Sequence, residues 1–384
     1  MKLVVKIFIL TSLLLILYSN QNLAQSKTME IAGTVIDSES GLPIENAAVF
    51  ISYTTSGALS DKIGEYKIPN VMPGTYTLMC AAVGYNKLIR RIKLEAGRNL
   101  QINFSLTIVP IELSEIKIIE LTPKERERSF EKFKREFLGE SSRTYKCEIA
   151  NPEVLKFNQN LDEVYAFANK PIVVLNKSLG YKINIYLKDF VWDKDYDYGK
   201  FAYEPYFEEL VPEDSLEKIR WNENRKDAYL GSFRHFLRSC ASNTLFDEGF
   251  RIFLSGNIPG SLGKLSDFEL AINRQTKAEV EEVTSVILKK DSNSESTIET
   301  DFILEVVYKN QSEDFNYRWY KERMFGETEL YGFQDSWVKF PKGEFTFENN
   351  GISLENEFYK KQFAGYWAWK RISDLLPYNY SPSK

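Results

Sequence analysis

The chain opens on an apolar run over residues 7–17, broken only by Thr11 and Ser12 and preceded by Lys2 and Lys6. Polar Ser19, Asn20, Gln21 and Asn22 follow it. A positive start, a short apolar middle and a polar end read as a signal peptide over residues 1–24, cleaved after Ala24. The run is shorter than the ~20 residues that a membrane-spanning helix needs, and no later stretch is longer. The pattern therefore predicts an exported chain with no transmembrane segment after cleavage. No cysteine stands near the cleavage point to carry a lipid anchor. From residue 29 to 108, short apolar segments alternate with turn residues. Predicted strands cover 31–36, 47–53, 65–68, 76–82, 87–94 and 100–106. Turns at Ser60-Asp61-Lys62-Ile63-Gly64 and Met72-Pro73-Gly74 separate them, because Pro fixes one φ and Gly supplies φ > 0. Such spacing predicts an antiparallel β-sandwich.

Residues 109–123 read as a linker in which Ile116, Ile118 and Leu121 are spaced like strand positions. Thr122-Pro123-Lys124-Glu125 then forms a capping box with Pro at the first helical position. Phe130, Phe133 and Phe137 recur on one helical face, and Gly139 ends the helix. Residues 124–384 are read as one β-rich α+β domain. Tyr181, Ile183, Ile185 and Leu187 alternate as a strand, and a second helical region spans 213–243. Strands resume after Thr297, with a hairpin turning at Asn349-Asn350-Gly351. Residues 289–296 read as a loop. Aromatic Tyr366, Trp367 and Trp369 pin the carboxyl end to a sheet.

Composition narrows the chemistry. Lys plus Arg number 49 against 54 Asp plus Glu, a net charge of −5, which disfavours nucleic acid as a partner. One histidine excludes metal sites that need several imidazoles, and three cysteines exclude a four-cysteine zinc site or a dense disulfide framework. Cys80, Cys147 and Cys240 fall on apolar stripes and are expected as buried thiols, with one disulfide plus an odd thiol as the alternative. No cofactor is expected, since no phosphate loop, Gly-x-Gly-x-x-Gly or Cys-x-x-Cys occurs.

Three constellations are candidates for chemistry. Asp193, Asp195 and Asp197 alternate, and Glu204 stands at the twelfth position, as in a calcium loop. The sixth position holds Tyr198 where such a loop wants Gly, so a polar hairpin tip covered by tyrosines is the plainer reading. The aromatics of this stretch also offer flat rings on which sugars stack. Arg225, Lys226, Arg234, His235 and Arg238 give the second helical region a basic side, either a solvated face or an anion site. His235 with Ser232 or Ser239 and Asp227 has the residue types of a triad. No Gly-x-Ser-x-Gly elbow exposes a serine, and no catalytic residue is assigned.

Several spaced motifs are recognisable. Gly33-Thr34-Val35-Ile36-Asp37, Gly41-Leu42-Pro43-Ile44, Gly64-Glu65-Tyr66, Pro73-Gly74-Thr75-Tyr76 and Val83-Gly84-Tyr85 resemble the carboxypeptidase regulatory-like family over residues 29–108. The resemblance implies a transthyretin-like sandwich and an exported protein. It does not imply a peptidase, because a zinc carboxypeptidase needs two histidines and the chain has only His235. Phe137-Leu138-Gly139, Leu179-Gly180-Tyr181, His235-Phe236-Leu237-Arg238 and Leu376-Pro377-Tyr378 resemble an uncharacterised domain that accompanies this sandwich in exported bacterial proteins. That second resemblance brings no catalytic residue.

The expected fold is thus mainly β with some α, a transthyretin-like sandwich followed by a larger α+β domain. The expected role is non-catalytic binding or assembly with an envelope protein or glycan, in the periplasm or at the cell surface. The alternative is an envelope or polysaccharide hydrolase using paired carboxylates in the second domain. A hydrolase would show a concave pocket with two carboxylates about 5 to 10 Å apart, and a binding module a flat or edge-strand surface. The oligomeric state is left open.

Overall fold

The computed structural model describes residues 28–109, 121–195, 198–255, 274–290, 294–325, 333–353 and 361–382. The expected signal peptide, and the strand-like Ile116 and Ile118 of the linker, lie outside the described residues. Among those described, no helix is long and apolar enough to cross a membrane. The fold is mainly β with some α, and it holds three main apolar cores.

The first core lies between two sheets. Its strands are β1 (Met29–Asp37), β2 (Ala48–Ile51), β3 (Gly57–Leu59), β4 (Glu65–Val71), β5 (Gly74–Ala81), β6 (Leu88–Leu94), β7 (Leu100–Gln101) and β8 (Phe104–Leu106). One sheet runs β4-β1-β7 with β8 also on β1, and the other β3-β2-β5-β6. Strict alternation buries Ile31 and Val35 of β1 against Val49, Leu78 and Cys80 of the facing sheet. Two details correct the expectation. β7 and β8 run parallel to β1, not antiparallel. The single strand expected over 100–106 is broken in the middle. There the Ile102 carbonyl accepts the Tyr66 hydroxyl at 2.7 Å, and Asn103 Oδ1 accepts the Thr34 N–H at 3.0 Å. Gly33 makes room for this, since a Cβ there would stand 1.7 Å from the Ile102 oxygen.

The second core sits under α1 (Pro123–Leu138). Its Thr122 cap and Glu125 form the expected capping box, and Gly139 (φ 88°) ends the helix. Phe133 and Phe137 stack at 4.7 Å and pack onto a six-stranded sheet. The sheet contains β9 (Cys147–Ile149), β10 (Leu155–Gln159), β11 (Glu163–Ala168), β12 (Ile172–Asn176), β13 (Tyr181–Asp193) and β14 (Tyr198–Glu209). Its order is β10-β11-β13-β12-β9, with β14 along β13.

The helical region resolves into α2 (Ser215–Tyr229), capped by Asp214, and α3 (Phe233–Ser242), capped by Ser232. α3 opens the third core, which continues with β15 (Phe250–Ser255), α4 (Lys277–Ile287), β16 (Leu288–Lys290), β17 (Glu295–Glu299) and β18 (Ile303–Tyr308). After α5 (Phe315–Phe325) come β19 (Gln334–Lys339), β20 (Glu344–Glu348), β21 (Gln362–Gly365) and the short α6 (Tyr366–Trp369). Two sheets result, β15-β18-β19-β21 and β16-β17-β20. The loop expected over 289–296 is partly strand, since Lys289 pairs with Thr297 and Ser296 with Phe347. Residues 124–384 therefore hold two cores.

The sandwich is fastened to the rest by a loop after β2. The Tyr53 N–H donates to the Pro205 carbonyl at 2.8 Å, and the Tyr53 carbonyl accepts the Tyr378 N–H at 2.6 Å. Beside this loop, Phe50 lies 5.2 Å from both Tyr186 and Tyr206, in a small apolar cluster with Met79 and Ala81. All three cysteines are free and buried, and burial pushes the thiols of Cys80 and Cys147 up to about 12.

Phe50 is only 1% exposed and bridges the sandwich to the second core. Replacing it by Ala is expected to cost about 3 to 4 kcal/mol, as emptied aromatic sites usually do. All six tryptophans lie after the sandwich. Tryptophan fluorescence and far-ultraviolet circular dichroism should therefore give one urea midpoint in the parent and two in Phe50→Ala.

Candidate ligand-binding cleft

A cleft of about 630 Å3 opens where the three cores meet. Tyr53 carries the sandwich to its wall. β14 supplies Lys200, Phe201 and Tyr203, and the α2–α3 corner supplies Ser232 and Phe233. β21, α6 and the tail add Phe363, Trp367, Lys370, Arg371, Asp374 and Tyr378.

Local backbone devices aim these side chains. β13 pairs Leu187 with Tyr203 and Asp189 with Ala202, so Lys188 is the extra residue of a β-bulge. Bulges re-aim side chains, and this one brings Lys188 to the cleft with its Nζ 2.6 Å from Glu204 Oε1. Gly365 (φ 68°) turns β21 into α6 at a point where a Cβ would stand 2.6 Å from the Asp335 carbonyl oxygen. The turn seats Trp367, whose indole N–H donates to the Gly231 carbonyl at 2.7 Å.

The walls are aromatic. Tyr53 stacks on Tyr378 at 4.9 Å, and Phe233 meets Phe363 at 4.9 Å and Trp367 at 5.2 Å. Burial raises the phenols of Tyr53, Tyr203 and Tyr378, so these rings stay neutral. The charges are mostly positive. Asp374 is the only carboxylate among the described lining residues, and its Oδ1 lies 2.9 Å from Arg143 Nη1. Lys200, Lys370 and Arg371 have no carboxylate within ion-pair distance among the described residues. Burial pushes the Lys370 amine down to about 8, against the pull of Asp374. The Arg371 guanidinium lies 5.5 Å from the Phe201 ring centre.

The residues singled out from sequence fall differently. Asp193 and Asp195 sit at the tip of the β13–β14 hairpin, where Asp193 Oδ1 accepts the Asp195 N–H at 2.9 Å. Asp197 lies outside the described residues. Glu204 is not brought to the tip. It stands six residues along an extended strand from Tyr198, ~20 Å away, is 1% exposed, and holds Lys188. An extended strand separates what a compact calcium loop would fold together, so Glu204 does not share a site with Asp193 and Asp195. Among the described residues no group of three or more acids, His or Cys is placed to hold a metal.

His235 is buried among the rings of Tyr229, Phe250 and Tyr308. Its Nδ1 accepts the Gly231 N–H at 3.1 Å, and its Nε2 lies 3.4 Å from Glu248. Burial lowers its pKa, against the raising effect of Glu248. Ser232 caps α3, Ser239 donates to the His235 carbonyl, and Asp227 lies 3.9 Å from Arg143. These residues form no triad. The basic side is not one surface either. Arg225 is buried and donates to the Leu179 and Gly180 carbonyls, and Arg234 donates to Pro377. The tyrosine-rich hairpin does contribute to a concave aromatic surface, through Phe201 and Tyr203. The flat surface expected of a binding module is replaced by a cleft.

Comparison with known proteins identifies the sandwich. Residues 30–107 match the carboxypeptidase regulatory-like domain. The regulatory-like domain contributes Tyr53 to the cleft and none of its cations. No curated protein matches the chain. Among solved structures, the pilus 2b backbone protein of group B streptococcus is 14% identical over 22% of this chain and 42% of its own, with a TM-score of 0.19. A candidate carbohydrate-binding protein from Bacteroides uniformis is 13% identical over 42% of this chain and 60% of its own, also at 0.19. A cohesin–X-dockerin complex from Acetivibrio cellulolyticus is 21% identical over 20% of this chain and 52% of its own, at 0.17. This chain spans less than two thirds of each, and likenesses this slight carry no argument about function.

A second group escaped the sequence reading. Glu305 and Asp335 are both 6% exposed and lie diagonally on one face, since Glu305 pairs with Trp337 and Asp335 with Val307. The signal was an acid inside the otherwise apolar strand Ile303–Tyr308. Burial pushes Glu305 up to about 7 and Asp335 well above the carboxylate range. Unfolded, Glu305 would ionise near 4.5. Stability is thus fully present below that value and falls as pH rises toward 7. Glu305→Gln is expected to be more stable than the parent by about 2 to 3 kcal/mol at pH 8. The gain should shrink to about 0.5 kcal/mol at pH 4.5, as read by urea denaturation at both values.

Proposed function

We propose that the protein is an exported, non-catalytic binding protein of the cell envelope whose ligand is a glycan held in the cleft. The observation that carries this reading is the ring arrangement. Tyr53, Tyr203, Phe233, Phe363 and Tyr378 are half-buried rings from three parts of the fold, set around one cavity of about 630 Å3. Sugars present flat apolar faces that stack on such rings, and the volume is that of an ordinary ligand site. Export rests on the pattern of residues 1–24. The regulatory-like domain serves as scaffold, because it completes the wall through Tyr53.

Binding is favoured over hydrolysis by the carboxylates. Glycoside hydrolysis needs two acids about 5 to 10 Å apart. The described lining offers Asp374, which already pairs with Arg143.

The test is a glycan array probed with the full chain, followed by titration calorimetry on the glycans retained. A subset of glycans should bind and be recovered uncut by chromatography. Tyr203→Ala and Phe363→Ala should each weaken binding roughly three- to tenfold. Retention of no glycan would overturn the reading, and release of new reducing ends would replace it with the hydrolase.

A further inference from the structure

We infer that the glycan is acidic, with sugar rings bearing carboxylate or sulfate groups that the cations of the cleft hold. This inference rests on the glycan reading above and adds the ligand's charge. The chain as a whole carries −5, yet the described lining of the cleft holds Lys188, Lys200, Lys361, Lys370 and Arg371 against Asp374. Charge of one sign concentrated against apolar walls marks a site for the opposite sign.

The ion pairs of the cleft do not cancel that charge. Glu204 answers Lys188, and Arg143 answers Asp374 from behind the wall. Lys200, Lys370 and Arg371 keep no carboxylate within ion-pair distance among the described residues. Moving an ammonium from water into a cleft of rings is costly unless an anion joins it. The depressed Lys370 amine records that cost, with its proton held less tightly than in water. Arg371 offers a planar fork that suits a carboxylate or sulfate, with its guanidinium near the Phe201 ring. The phenols of Tyr53, Tyr203 and Tyr378 stay neutral and add no repulsion. A ligand matching this set has apolar ring faces for the aromatic walls and acid groups at their edges.

The test is titration calorimetry on the full chain with four probes of similar length. These are oligogalacturonate, a chondroitin sulfate hexasaccharide, neutral maltohexaose and hexaglutamate. At least one acidic sugar should bind about tenfold or more tightly than maltohexaose, with affinity falling several-fold as salt rises from about 0.05 to 0.3 M. The two acidic sugars distinguish carboxylate from sulfate. Lys200→Gln with Lys370→Gln should weaken the acidic sugar by roughly tenfold, while Lys200→Arg with Lys370→Arg retains it. Lys200→Gln alone, at an exposed position, should show part of the loss if the double variant melts early. Equal, salt-independent binding of maltohexaose would overturn the acidic inference and leave the glycan reading standing. Binding of hexaglutamate alone would overturn both in favour of an acidic protein partner. Binding of no probe, while the array retains a neutral glycan, would overturn the acidic inference alone.

Discussion

Tyr53 occupies the left-handed region at φ 62°, a conformation that a bulky side chain adopts only under compulsion. Its backbone donates to Pro205 on one side and accepts from Tyr378 on the other, and Phe207 donates to Thr54 next door. Three distant parts of the chain thus close on one residue. Strain of this kind costs about 1 to 3 kcal/mol and persists only where the surroundings over-determine it. Here the surroundings are two backbone hydrogen bonds and a stacked ring at 4.9 Å. Asn379 adds bonds to Thr55, at 3.2 Å through Oδ1 and 2.6 Å through Nδ2. The sandwich also meets the rest through Phe50 and its neighbours, and through the Thr75 N–H, which donates to Glu348 Oε1 at 2.5 Å.

The cleft is a product of that junction. No single core could build it. Phe201 and Tyr203 belong to the second core or pack on it, Phe233, Phe363 and Trp367 belong to the third or pack on it, and Tyr53 comes from the sandwich. Convex apolar cores that meet at one point leave a re-entrant space between them, and its walls are the rings each core turns outward. The three free cysteines fit this picture, since the apolar cores hold the chain without cross-links.

Local features were legible in the sequence and distant ones were not. The capping box at Thr122 and Glu125 and the phenylalanine face of α1 depend on neighbours three or four residues away. Such spacings are visible by inspection. α4 had the same signal in Thr276 and Glu279, with Val280, Thr284 and Ile287 buried on one side, but its charged exposed face obscured it. The cleft was hidden for a different reason. Its lining is drawn from residue 53, residues 188–203, 228–233 and 361–378, and proximity across that range is set by sheet pairing and core docking. The bulge at Lys188 shows the problem in one residue, because a regular alternating pattern gives no sign that the register slips there. Conversely, Asp193, Asp195 and Glu204 looked like one constellation because they are close in sequence. β14 is extended, so closeness in sequence became distance in space.

A site built at a junction has a thermodynamic consequence. Any ligand that touches Tyr53, Tyr203 and Phe363 together contacts three cores, and its binding energy depends on all three being docked. Linkage then requires the converse: the ligand stabilises the docked arrangement by as much as docking favours the ligand. The strained Tyr53 conformation is part of that balance, because the loop is held in the geometry the cleft needs before any ligand arrives. Pre-organisation of this sort shifts the cost of ordering from binding to folding. The regulatory-like domain therefore acts on the cleft without contributing a reactive group. It fixes one wall, and the apolar contact of Phe50 with Tyr186 and Tyr206 on β13 and β14 supports that wall beside the Tyr53 junction.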